Sequence, residues 1–168
     1  KPSRLEPGQP IVVEGLHALN DSLTYMLPRY EKVKISLGVL THIRINDHNR
    51  ISTSDTRIIR RMVRDHQFRG RGPESTMEIW GDVRRGEEKN IYPYQEDADT
   101  IFNTALPYEL SVLKPYAEPL LESIDKGSVH YAEARRLLRF LKPFKGIDSS
   151  VVPPNSLLRE FIGPDRKK

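Results

Sequence analysis

STSDTRIIRRMVRDHQFRGR, residues 52–71, carries both a helix signal and the densest run of arginine in the chain. A Ser/Asp start opens the stretch and Gly70, Gly72 and Pro73 close it, so a helix is predicted between them. At about 100° per residue, Arg57, Arg60, Arg61 and Arg64 share an arc of roughly 100°. Ile58, Ile59, Met62 and Val63 take the other side and ask for a core. Asp55 and Asp65 are the nearby acids, so over residues 55–71 six Arg less two Asp leave +4, which equals the net charge of the whole chain. The plain reading of such a run is a solvated face or an interhelix salt-bridge site. The sharper reading is a clamp for a polyanion. Like charges at helical spacing repel by a few tenths of a kcal/mol per pair, and the planar guanidinium fork donates bidentately to phosphate.

Outward from this helix, the chain alternates short apolar runs with helical patterns. Ile11 to Val13, between Pro10 and Gly15, predicts a strand buried on both faces of a parallel sheet. LNDSLTYML predicts a helix capped by Asn20 or Asp21 and ending near Pro28. In KVKISLGVL the residues Val33, Ile35, Leu37 and Val39 alternate with others, which predicts a second strand continuing into THIRIN. After the RGRGP break, PESTMEIWGDVRRGEEKN begins another helix. ADTIFNTAL (98–106) is strand-like, and a Leu-rich stretch runs to Ile124. VHYAEARRLLRFLK (129–142) is an amphipathic helix with Tyr131, Ala134, Leu138 and Leu141 inward, and the tail VVPPNSLLREFIG keeps apolar positions that predict docking. Strands alternating with helices point to α/β architecture. KPSRLEPGQP leads into the first strand as though the fold were entered midway, which leaves a sheet edge open and predicts a homo-oligomer or a rearranged sheet.

Bulk composition sets bounds. A chain of 168 residues is about one domain. Its 37% hydrophobic and 30% charged residues are ordinary for a soluble globular protein. A net charge of +4 permits an anionic ligand but does not argue for nucleic acid. The absence of cysteine excludes disulfides and thiolate metal sites and fits a cytoplasmic protein. No apolar run reaches the roughly 20 residues that span a bilayer, and the opening residues carry no signal-peptide pattern.

Among chemistry-bearing residues, Glu14 stands where a parallel strand would end. Ligands of α/β sheets gather there, so its carboxylate could hold Mg²⁺ or simply face solvent. The five histidines (17, 42, 48, 66 and 130) have no metal-ligand spacing. His17, in EGLH, is placed to touch a substrate or to pack. Trp80, Tyr92 and Tyr94 could stack on a ligand or belong to a core. Acyl-transfer motifs are absent.

EGLHAL after a strand, then RRMVRDHQFRGR, then ADTIFNTAL, resembles the C-terminal half of the uridine kinase and phosphoribulokinase group of P-loop kinases. Within that group it is most similar to uridine kinase-like proteins whose kinase region follows domains related to threonyl-tRNA synthetase. The resemblance spans residues 5–125, and DHNRIST, RRGEEKNIYPYQE and PPNSLLREFIG extend it. It implies the C-terminal part of a P-loop kinase domain over 1–125, with residues 55–72 as an Arg-rich lid, and a helical extension over 126–168. It further implies ATP as phosphoryl donor, Mg²⁺ held with help from Glu14, and a nucleoside-type hydroxyl acceptor. Arg64, Arg69 and Arg71 would be catalytic contacts to the transferring phosphates, with Arg61, His17 and Tyr92 on the substrate side. EGLH leans toward phosphoribulokinase and RGR toward uridine kinase. No GxxxxGK[ST] occurs in the sequence, so the phosphate cradle is missing and this chain alone is expected to be catalytically silent. The alternative is a non-catalytic module that holds a nucleotide, a phosphosugar or RNA on the arginine face.

Overall fold

A computed structural model of the protein describes residues 5–41 and 51–164. The expected continuation of the second strand beyond Thr41 through HIRIN, the DHNR of DHNRIST, and His42 and His48 lie outside the described residues. Over the described residues the architecture is roughly α/β in the coarse sense, mostly helical with one small two-stranded parallel sheet. The chain forms two compact units, Lys1–Ser36 with Arg85–Ile101, and Leu37–Arg84 with Phe102–Lys168.

The second unit holds the core. Helix α1 (Thr53–Arg69) begins at Ser52, whose hydroxyl accepts from the Asp55 amide at 3.2 Å, as an N-cap should. It ends at Gly70, whose φ of 61° is the left-handed conformation that a helix C-terminus commonly demands. The Arg71 amide then donates to the Asp65 carbonyl at 3.1 Å and closes the last turn. Helix α2 (Pro73–Asn90) starts on the proline, where the missing N–H costs nothing. The predicted apolar face of α1 is real: Ile58, Ile59, Met62 and Val63 are buried with Leu110, Val112, Leu113, Ala117 and Leu121 of α3 (Glu109–Glu122). Ala134, Leu137 and Leu141 of α4 (Tyr131–Leu141) complete it from the next helix, while the expected Tyr131 and Leu138 are only partly buried. The tail docks as predicted, through Val152, Leu158, Phe161 and Ile162, the last two on α5 (Arg159–Ile162), a single turn packed on α1. The expected boundary between residues 125 and 126 falls inside this unit, where α3 and α4 pack together.

Two polar clasps fix the helices. Arg136 on α4 donates to both Asp55 oxygens at 2.8 and 2.6 Å while also holding Glu133, so its guanidinium pKa lies above the ordinary value. Lys114 on α3 donates to the carbonyls of Leu141 and Phe144 at 3.2 and 2.8 Å, a cation at the C-terminal end of α4.

The first unit departs from expectation. Ile11 to Val13 form no strand and are exposed, Val12 by 86%. A β-branched run becomes a strand only with a ladder beside it, and among the described residues no strand lies next to this one. LNDSLTYML is not a helix either. Asn20 does cap, accepting from the Ser22 amide at 2.9 Å, but only one 3₁₀ turn follows, Asp21–Leu23. Strands β1 (Ile35–Gly38) and β2 (Thr100–Asn103), each with its first two residues in this unit, are where the sequence puts them, and β1 buries its polar side. Ile35 and Leu37 are exposed, whereas Lys34 and Ser36 are buried. Alternation fixes which residues share a face, not which face meets protein. Here the Lys34 side has the partner, since its ammonium bonds Asp21 Oδ2 at 2.6 Å and its amide bonds Asp99 Oδ2 at 2.7 Å. Lys34 and Lys32 hold the Asp21 carboxyl below its usual range, and Arg29, with the Lys34 amide, does the same for Asp99.

Candidate functional site

Helical periodicity brings the arginines of α1 to one side, but the fold sorts them into two groups. Arg60 goes inward. It is buried, its Nε donates to Glu109 Oε2 at 2.9 Å, and a second nitrogen pairs with the same oxygen. That nitrogen also bonds the Thr104 carbonyl at 2.7 Å, and the guanidinium lies 5.1 Å from the centre of the Phe161 ring. All three of its nitrogens bond protein, so Arg60 is a structural residue. Arg57 also has a partner.

The second group surrounds Asp65, whose side chain is fully buried. Its Oδ1 accepts from Arg69 at 3.0 Å, one helical turn on. Its Oδ2 lies 3.3 Å from Arg61 Nε, one turn back, at an angle too poor for a hydrogen bond. Arg64 Nε is 4.0 Å from Oδ1, and Arg64 also donates to Glu160 Oε1 of α5 at 3.0 Å. Among the described residues, Arg61 Nε, Arg64 Nε and Asp65 Oδ2 are therefore buried polar atoms with no hydrogen-bond partner. Arg71, just beyond the cap, is exposed, and its backbone is tied to Asp65.

This arrangement corrects the charge count read from positions 55–71. Asp55 is taken by Arg136, while Glu109 and Glu160, 49 and 96 residues from their partners, neutralise Arg60 and pair with Arg64. What remains is smaller but real. Arg61, Arg64, Arg69 and Arg71 are four positive charges against the two carboxylates of Asp65 and Glu160, a surplus of two. The guanidinium groups are part-exposed, so an anion could reach them and receive paired N–H donors.

The other expected site residues belong to the first unit. Glu14 and His17 are exposed, in coil and turn. Tyr92 sits in a 3₁₀ turn and its hydroxyl donates to Glu87 Oε2 at 3.2 Å. One exposed carboxylate is a single ligand for a cation that takes six. Among the described residues no group of three His, Cys, Asp or Glu gathers to hold a metal. The residues present do not by themselves fit a Mg²⁺ site.

The centre of the cluster, Asp65, was visible in the sequence as the lone acid spaced four from Arg61 and four from Arg69. Glu109 and Glu160 were not, because no local pattern points to partners so far along the chain. No protein-family model matches the chain, and no solved structure matches it. Among the described residues no helix is long and apolar enough to cross a membrane.

Proposed function

We propose that the Arg61, Arg64, Arg69 and Arg71 cluster holds the phosphate of a nucleotide or phosphorylated small molecule. In this reading the chain is the lid-bearing part of a P-loop kinase of the uridine kinase and phosphoribulokinase group, cytoplasmic, with ATP as donor and a nucleoside hydroxyl as acceptor. The observation that carries it is the surplus of two positive charges on the part-exposed guanidinium groups of Arg61, Arg64 and Arg69 and the exposed Arg71. Charge of this kind, fixed before the ligand arrives, is what stabilises a transferring phosphoryl group.

The residues here bind and orient. The sequence has no GxxxxGK[ST] cradle, and Glu14 alone does not make a metal site, so no transfer step is assigned to this chain. The resemblance supports the kinase class, and the cluster supports anion binding whichever acceptor is used. The test is a titration of the purified protein with inorganic phosphate and with ATP, followed by amide chemical shifts. Saturable shifts at residues 61–71 that vanish in an Arg64→Ala, Arg71→Ala double variant are expected. Binding that survives in the double variant, or no binding at all, overturns the reading. Uridine and labelled ATP incubated with the same protein should give no product above background.

A further inference from the structure

The contact between Arg64 and Glu160 has a role once Arg64 is read as an anion ligand. We infer that Glu160 is an internal competitor for the anion, a tail carboxylate on the guanidinium that a phosphate must claim. This rests on the anion-binding reading above.

The contact joins residues 96 positions apart at 3.0 Å, and the two ends are held very differently. Arg64 stands on α1, whose opposite face is core, and its side chain is only 27% exposed. Glu160 stands on the single turn α5 with a side chain 58% exposed. Its neighbours Phe161 and Ile162 are buried, so α5 is anchored by apolar packing and not by the ion pair. The Glu160 side chain can therefore leave Arg64 for water while the turn stays docked. An exposed pair of this kind is weak. A phosphate dianion offers two charges and several acceptor oxygens where Glu160 offers one charge and one bonded oxygen. The tail carboxylate is thus strong enough to fill the place against weak monoanions and weak enough to yield to phosphate. It acts as a selectivity residue for the cluster.

The test compares wild type, Glu160→Gln, Arg64→Ala and the Glu160→Gln, Arg64→Ala pair, each titrated with inorganic phosphate and separately with acetate. Glu160→Gln keeps the size and the packing of α5 and removes the competing charge. It should tighten phosphate binding by about two- to five-fold, the range that an exposed ion pair represents. Acetate binding should rise by at least as much, so that the preference for phosphate narrows. In the Arg64→Ala background the same change should have no effect. Wild type that binds phosphate with unchanged affinity in Glu160→Gln overturns the competitor role and leaves the anion site standing. Failure of wild type and Glu160→Gln alike to bind phosphate overturns both. Tightening that persists in the Arg64→Ala background shows a diffuse charge effect and also overturns the inference.

Discussion

Arg60 and Arg71 are eleven positions apart in one arginine-rich segment, yet their substitution should read out on different instruments. Arg60→Ala strands the buried Glu109 carboxylate, and removing one partner of a buried pair costs about 3–5 kcal/mol. Arg71→Ala touches an exposed side chain and should change stability by under about 0.5 kcal/mol while weakening phosphate binding. Urea unfolding checks both. Equal losses in the two variants would contradict this division of the arginines. Burial also pushes the Glu109 carboxyl above its ordinary value of 4.5, against the pull of Arg60. A carboxyl raised in the folded state costs nothing below its unfolded pKa. Its cost grows as pH rises from there toward the folded value. Without Arg60 that folded value climbs further, so the penalty of Arg60→Ala should be smallest in acid. Urea midpoints of wild type and variant should lie closer together at about pH 4 than at about pH 7.

Elements in this protein are shaped as much by distant partners as by their own propensities. Helix α3 contains Pro115 and Pro119 and still runs from Glu109 to Glu122. Pro115 cannot donate to the Ser111 carbonyl, and that acceptor is used instead by the Ile147 amide at 3.0 Å, which docks the loop after α4. A Cβ on Gly146 would come within 3.3 Å of Pro115 Cγ, so Gly146→Ala should cost about 1 kcal/mol through this joint. A thermal midpoint equal to wild type would show that the loop is not pinned there. The four residues of α5 are far too few to be helical alone and depend on packing. Phe161→Ala removes a ring that is 93% buried, since only 7% is exposed, and should cost about 3 kcal/mol. Because Phe161 covers Arg60, the double variant with Arg60→Ala should lose less than the sum of the two singles. Helices α1 and α4 were legible because capping, periodicity and breakers agreed over many residues. The reach of Arg60 and Arg64 to acids elsewhere was not, since an ion pair across 49 or 96 residues leaves no local trace.

At the scale of the chain, sequence reading was most accurate where residues pack and least accurate where they do not. The second unit has a continuous apolar core, so its buried side chains could be found from helical period. The first unit reads as strand and helix in sequence because its residues are apolar and β-branched, but such residues form those elements only against a covering layer. Tyr30, Met26 and Val12 are instead exposed by 87, 79 and 86%. Apolar side chains in this number, together with the exposed Ile101 and Phe102 of β2, favour association over solvation. Light scattering over a dilution series should therefore show assembly that grows with concentration. Val12→Asp combined with Met26→Glu should reduce it, with no change in the amide-exchange protection of α1, α3 and α4. That protection pattern makes the test specific, because a variant that merely unfolded would lose it. A monodisperse monomer at every concentration would mean that these side chains are tolerated in water as they stand, and the expectation of self-association would fall.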